Sequence, residues 1–191
     1  ASPMSRNSKR APSAPRRFPT RVPIPMTIYK APVDQTLFLL NEVLGFTRHA
    51  NLPGFADATP DVVAAVLGEG ARFAETVLQP LNRTGDIEGC TRHDDGTVTT
   101  PKGFRDAFRE FAAGGWIGLS GDPQFGGQGL PYVLAAALNE FVTSANMAFG
   151  MYPGLTQGAI IALTLHGSDE QKRLYLLKLM SGAWTGTMNL T

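Results

Sequence analysis

A single cysteine, Cys90, stands in the 191 residues, so no intrachain disulfide can form and no cysteine-based zinc site can be built within the chain. Histidine is scarce as well. His49, His93 and His166 are dispersed without metal-ligand spacing, and no metal is expected. No apolar run approaches the ~20 residues a membrane-spanning helix needs, so no membrane association is expected. Acidic residues are missing from the beginning of the chain: residues 1 to 33 hold seven Lys and Arg and no Asp or Glu. Residues 34 to 191 then carry ten basic against sixteen acidic residues, a net of −6, which offers no clustered cationic footprint for nucleic acid. Gly-x-Ser-x-Gly elbows, His-Glu-x-x-His and paired-cysteine motifs are all absent.

What is present divides the chain in two. Residues 1–25, "ASPMSRNSKRAPSAPRRFPTRVPIP", are rich in Pro, Ser and Arg and lack any periodicity. Such a segment buries too little apolar surface to offset its ordering entropy, and is expected to be a disordered basic leader. Its recurrent prolines would break an amphipathic import helix, so a cytoplasmic location is expected over an organelle.

From Asp34 onward the pattern becomes helical. "DQTLFLLNEVLGF" puts Leu37, Leu40, Val43 and Leu44 on one face and ends near Gly45. Thr59-Pro60 is an N-cap followed by proline at the first helical position, ahead of a stripe of Val63, Val66, Leu67, Phe73, Val77 and Leu78. Pro80 is expected to shift that helix rather than end it before Gly85. Asp95-Gly96 reads as a tight turn, and Thr100-Pro101 as another helix start, with Phe104, Phe108 and Phe111 following.

"PYVLAAALNEFVTSANMAFG" and "PGLTQGAIIALTLHG" read as two helices buried on most faces, and Ser168 with Gln171 forms a capping box for the last helix. The expectation is an all-α fold: a helical bundle over residues 26–182, followed at 183–191 by the start of a strand. The Gly126-Gly127-Gln128-Gly129 segment lacks the Lys-Ser or Lys-Thr of a phosphate loop and reads as a shaped connection. Glu140, alone in an apolar helix, is expected to pair or reach solvent rather than catalyse.

Three stretches, "GWIGLSGDPQFGGQGLP" (115–131), "HGSDEQKRLYLLKLMSG" (166–182) and "WTGTMNLT" (184–191), resemble in order and spacing the flavin-dependent acyl-CoA dehydrogenases. "MTIYKAPVDQTLFLLNEVLGF" and "ANMAFGMYPGLTQGAI" resemble the longer branch of that family, which includes 3-methylmercaptopropionyl-CoA dehydrogenases. The resemblance implies FAD as cofactor, acyl-CoA as substrate, electron-transfer flavoprotein as partner and a homo-oligomer. It also implies that the chain is an amino-terminal part whose β-domain and catalytic carboxylate lie elsewhere, so no residue here is assigned as catalytic and the fragment alone is expected to be inactive.

By the same resemblance, Met188, Leu190 and Thr191 begin the flavin-contacting strand. Met151, Gly154, Leu155 and Gly158, at i, i+3, i+4 and i+7 on one face, line the acyl pocket; close helix–helix packing by small residues is the alternative reading of that face. Leu177 and Ala183 depart from the family pattern, which usually has Pro and often Glu there. An acyl-CoA oxidase and a non-catalytic helical module are the competing functional readings.

Overall fold

Residues 28–187 are described by the computed structural model, and among them six helical runs and one hairpin carry the architecture. α1 (Val33–Phe38) widens directly into a π-helical turn at Leu39–Val43, and Gly45, in the left-handed region at φ 59°, ends the run where the sequence placed its end. The four-residue stripe does not hold. Leu40 is buried and Leu37 packs on the core, but Val43 and Leu44 are 62% and 56% exposed. The extra residue in a π turn rotates the side chains that follow it off the core face.

α2 (Pro60–Phe73) starts as its sequence dictates, the Thr59 hydroxyl accepting from the Val62 N–H at 3.4 Å. It runs through a second π-helical turn, Ala74–Leu78, into α3 (Gln79–Glu88). Pro80 lies just past that turn. The widened turn absorbs the missing N–H, so the proline shifts the helix without ending it. An antiparallel pair, β1 (Thr91–Arg92) and β2 (Val98–Thr99), follows with Thr91 opposite Thr99 and closes through Asp95-Gly96. α4 (Phe104–Ala113) begins at Phe104 rather than at Pro101, because Gly103 adopts a left-handed conformation and the chain turns first.

α5 (Tyr132–Ala145) and α6 (Met147–His166) correct a boundary. The apolar pattern carried the first helix through Gly150 and opened the second at Pro153, whereas the break falls at Asn146 and α6 runs through Pro153. Asn146 has extended backbone at φ −157°; its Oδ1 accepts from the Phe149 N–H at 3.0 Å, and its Nδ2 donates to the Leu78 carbonyl at 3.1 Å. A side-chain cap satisfies an otherwise orphaned helix N–H, and this outweighs the proline signal. Full burial of α6 is also not what forms: Met147, Met151, Leu155, Ile161 and Leu165 are exposed. α7 (Asp169–Met180) opens on the expected capping box of Ser168 and Gln171.

Phe149, fully buried on α6, is the hub of the core. Its ring lies 5.7 Å from Phe111 of α4 and 6.4 Å from both Phe73 of α2 and Phe104 of α4, within the range of tilted and edge-to-face contacts. α5 packs between α2 and α6, and α7 lies on α6. The glycine-rich connection between α4 and α5 is closed on itself. Gly127 N–H donates to Asp122 O, Gln128 N–H to Gly118 O and Gly129 N–H to Gly121 O, and a Cβ on Gly127 would stand 2.1 Å from the Gly121 carbonyl carbon. Backbone donors committed in this way are not free to cradle a phosphate, so the segment is the shaped connection its sequence indicated.

Beyond α7, residues 183–187 are irregular. The basic leader at 1–25 and the strand residues Met188, Leu190 and Thr191 lie outside the described residues.

Candidate functional site

α6 presents the face on which Met151, Gly154, Leu155 and Gly158 were aligned, and all four are exposed together. A Cβ added to Gly154 or to Gly158 would meet no atom within 4 Å. Small residues on this face therefore do not serve a contact with another helix among the described residues; they leave open space beside an apolar wall.

The segment that follows α7 crosses this helix. Trp184 is fixed first: its N–H donates to the Lys178 carbonyl at 3.0 Å, and the Lys178 ammonium sits 4.0 Å from its ring centroid. Two residues on, the Gly186 N–H donates to the Thr156 hydroxyl at 3.0 Å, and that hydroxyl donates in turn to the Tyr152 carbonyl at 3.2 Å. Thr156 is 1% exposed, so its hydroxyl is committed to these two partners in a dry environment. A Cβ on Gly186 would lie 2.8 Å from Ala159 Cβ and 3.1 Å from Thr156 Cα, which makes glycine a condition of the approach. Gly186 thus lies directly against α6, at the level of Leu155 and Ala159.

Thr156 and Gly186 escaped the sequence reading. Their signals were a polar residue on the inward face of α6 and a glycine inside a β-prone run, and neither is specific without the partner.

Several clefts border the helix. One of about 220 Å³ lies between α5 and α6 and includes Tyr132, Gly154 and Gln157, whose amide donates to the Ile117 carbonyl. A larger open one, about 860 Å³, lies where Lys102, Arg105 and Arg109 of the α4 region meet Tyr152 and residues 182–185. Arg109 is engaged by Asp106 at 3.3 Å. Burial pushes the Tyr152 phenol above its ordinary value, with the Cys90 thiol contributing, so it stays protonated near neutrality.

Glu140 is exposed and reaches solvent. Among the described residues no cluster of His, Cys, Asp and Glu could hold a metal ion, and no helix is long and apolar enough to cross a membrane.

The described residues thus form a helical domain with an open apolar face on α6, next to a chain segment tethered across it. The chain belongs to the acyl-CoA dehydrogenase family: the profile of the acyl-CoA dehydrogenase N-terminal domain matches residues 65–183. It is 42% identical over 163 residues, 85% of its length, to a 3-methylmercaptopropionyl-CoA dehydrogenase of Ruegeria pomeroyi. It is 32% identical over 172 residues to a broad-specificity linear acyl-CoA dehydrogenase of Mycobacterium tuberculosis, and 32% identical over 154 residues to a butyryl-CoA dehydrogenase of Syntrophomonas wolfei. The matches cover 28%, 27% and 24% of those relatives, so the chain spans about a quarter of their length.

Proposed function

We propose that the protein to which this chain belongs is an FAD-dependent dehydrogenase of acyl-CoA thioesters, forming the trans-2-enoyl-CoA, with 3-methylmercaptopropionyl-CoA as the first substrate to test. The observation that carries the reading is the pairing of the open α6 face with the Gly186–Thr156 tether. An apolar face kept free by Gly154 and Gly158 suits an acyl chain, and the tether brings the chain toward the segment that resembles a flavin-contacting strand. These residues fit the group in one respect: the close approach at Gly186 leaves no side chain between the segment and the helix.

In this reading Met151, Gly154, Leu155 and Gly158 form one wall of the acyl pocket and exclude water from it. The backbone of Met188 and Leu190 and the hydroxyl of Thr191 would hold the pyrimidine edge of the flavin, which when bound would supply the acceptor for the β-hydrogen as hydride. Hydrogen-bond donors at that edge stabilise charge arriving on the ring. The α-proton goes to a carboxylate outside these residues, and electron-transfer flavoprotein takes the electrons onward. A cytoplasmic homo-oligomer completes the proposal.

The test is to mix full-length protein anaerobically with 3-methylmercaptopropionyl-CoA and with butyryl-CoA while following the flavin's visible absorption. Bleaching by either thioester supports the proposal. A colourless preparation favours a non-catalytic helical module, and rapid reoxidation by air with peroxide release identifies an oxidase. The isolated 191-residue chain should reduce no dye with any thioester.

A further inference from the structure

The chain leaves α7 by folding back over it. Gly182, in the left-handed region at φ 72°, donates its N–H to the Leu179 carbonyl, and the Ser181 N–H donates to the Leu177 carbonyl. The reversal is packed against α4 and the turn after it: a Cβ on Gly182 would stand 2.7 Å from Ala112 Cβ and 3.0 Å from Ile117 Cδ1. Trp184 therefore comes to rest over the last turn of α7. Its N–H bonds the Lys178 carbonyl, the Lys178 ammonium lies 4.0 Å from its ring centroid, and the Tyr175 ring is 6.0 Å away. Tyr175 and Lys178 are three residues apart on the helix and so present one face to the indole. Lys178 makes no ion pair among the described residues, and its charge is directed to the ring instead.

Trp184 on α7 and Gly186 on α6 are two residues apart, so the segment is pinned to two helices almost at one point. The two anchors differ in kind. At Gly186 the contact is a hydrogen bond to a buried hydroxyl, whereas at Trp184 it is a side-chain contact at the surface, with the indole 42% exposed. A slip of one residue exchanges the two faces of an extended chain, so two anchors together select a register that one hydrogen bond alone holds less firmly.

We propose that Lys178 is a positioning residue for the flavin: by holding Trp184 it keeps the chain beyond Gly186 in the register that binds the cofactor, without touching the cofactor itself. The inference rests on the FAD reading above and adds α7 to the elements that shape the site. An anchor of this kind acts by raising the fraction of molecules that are competent to bind, so its loss weakens the apparent affinity by that fraction.

The experiment titrates FAD into flavin-stripped full-length protein and follows flavin fluorescence, for wild type, Lys178→Met, Lys178→Arg, Trp184→Leu and the Lys178→Met, Trp184→Leu double variant. In Lys178→Met the dissociation constant should rise about two- to fivefold, the factor to which an exposed cation–π contact corresponds. Lys178→Arg should restore the wild-type value, because a guanidinium also lies on aromatic faces. In the Trp184→Leu background Lys178→Met should change nothing further, since the cation then has no ring to hold. If Lys178 serves only the stability of α7, Lys178→Met lowers the melting temperature of the flavin-free protein equally in both backgrounds and leaves the dissociation constant unmoved; that result overturns the inference and leaves the FAD reading standing. An effect on affinity that persists without Trp184, or that arginine does not rescue, overturns it as well. Wild-type protein that binds no FAD overturns both readings.

Discussion

Replacing Asn146 by alanine should be among the most damaging single polar truncations in this domain. The side chain is 1% exposed and makes two bonds with different consequences. Losing the cap on the Phe149 N–H costs about 0.5–2 kcal/mol. Losing the bond to the Leu78 carbonyl strands a buried acceptor at the junction of α2, α3 and α5, at about 1–3 kcal/mol. Together the loss is about 1.5–5 kcal/mol, and at roughly 2–4 °C per kcal/mol for a domain of this size the melting temperature falls by roughly 3–20 °C.

Asn146→Ser separates the terms, since a serine hydroxyl can cap Phe149 but is too short to reach Leu78; it should recover the cap's share and no more. Urea unfolding followed by far-UV circular dichroism measures all three proteins. An alanine variant within about 0.5 kcal/mol of wild type would refute the reasoning, because such a value belongs to surface positions and not to a doubly bonded buried amide.

Gly186→Ala should displace the segment that crosses α6, because the new methyl meets the Thr156 backbone as well as the Ala159 side chain; full-length protein carrying it should lose bound flavin, and undiminished visible absorption per mole would count against the tether. Thr156→Val, nearly isosteric, should give a smaller loss through the unsatisfied Gly186 N–H, about 1–3 kcal/mol in unfolding free energy. At the other end of the domain, Glu75 accepts from the Lys30 ammonium at 2.5 Å and the Ala31 N–H at 2.9 Å, and the Lys30 contact holds its carboxyl below the usual range. A folded pKa lowered in this way means stabilisation that is complete above the unfolded value of 4.5 and is lost as pH falls through the folded value. Glu75→Gln should therefore cost under about 1 kcal/mol at neutral pH, solvent screening at exposed Lys30 being discounted, and its melting curves should converge with wild type in acid.

Legibility in the sequence followed the range of each signal. Thr59-Pro60, Ser168 with Gln171, and Asp95-Gly96 were read correctly because caps and tight turns are decided by residues two or three apart. Boundaries decided by tertiary partners were misread. Asn146 outranks Pro153 as a break because the Leu78 carbonyl, 68 residues away, fixes its amide. The π turns at Leu39–Val43 and Ala74–Leu78 carry no local signature, although Pro80 marked the second as a place where the helix must adjust. That Met151, Gly154, Leu155 and Gly158 share one exposed face was legible from their i, i+3, i+4, i+7 spacing, whereas Thr156 and Gly186, paired across thirty residues, were not.

The misreading of α6 as buried on most faces has a physical content of its own. Hydropathy records that a side chain avoids water and is silent on what it will touch, so a helix apolar on two faces looks the same whether both meet its own core or one is reserved. Phe149, Pro153, Thr156 and Ile160 point inward, while Met147, Met151, Leu155, Ile161 and Leu165 remain exposed. Scattered exposed leucines need no explanation, but five large apolar residues along one 20-residue helix form a continuous surface of the kind that marks an interaction site. Packing alone would favour alanine over glycine at Gly154 and Gly158, since both glycines weaken the helix and touch nothing. Large apolar groups kept in water and glycines kept in a helix interior are two separate costs on the same face, and a ligand or domain seated there offsets both.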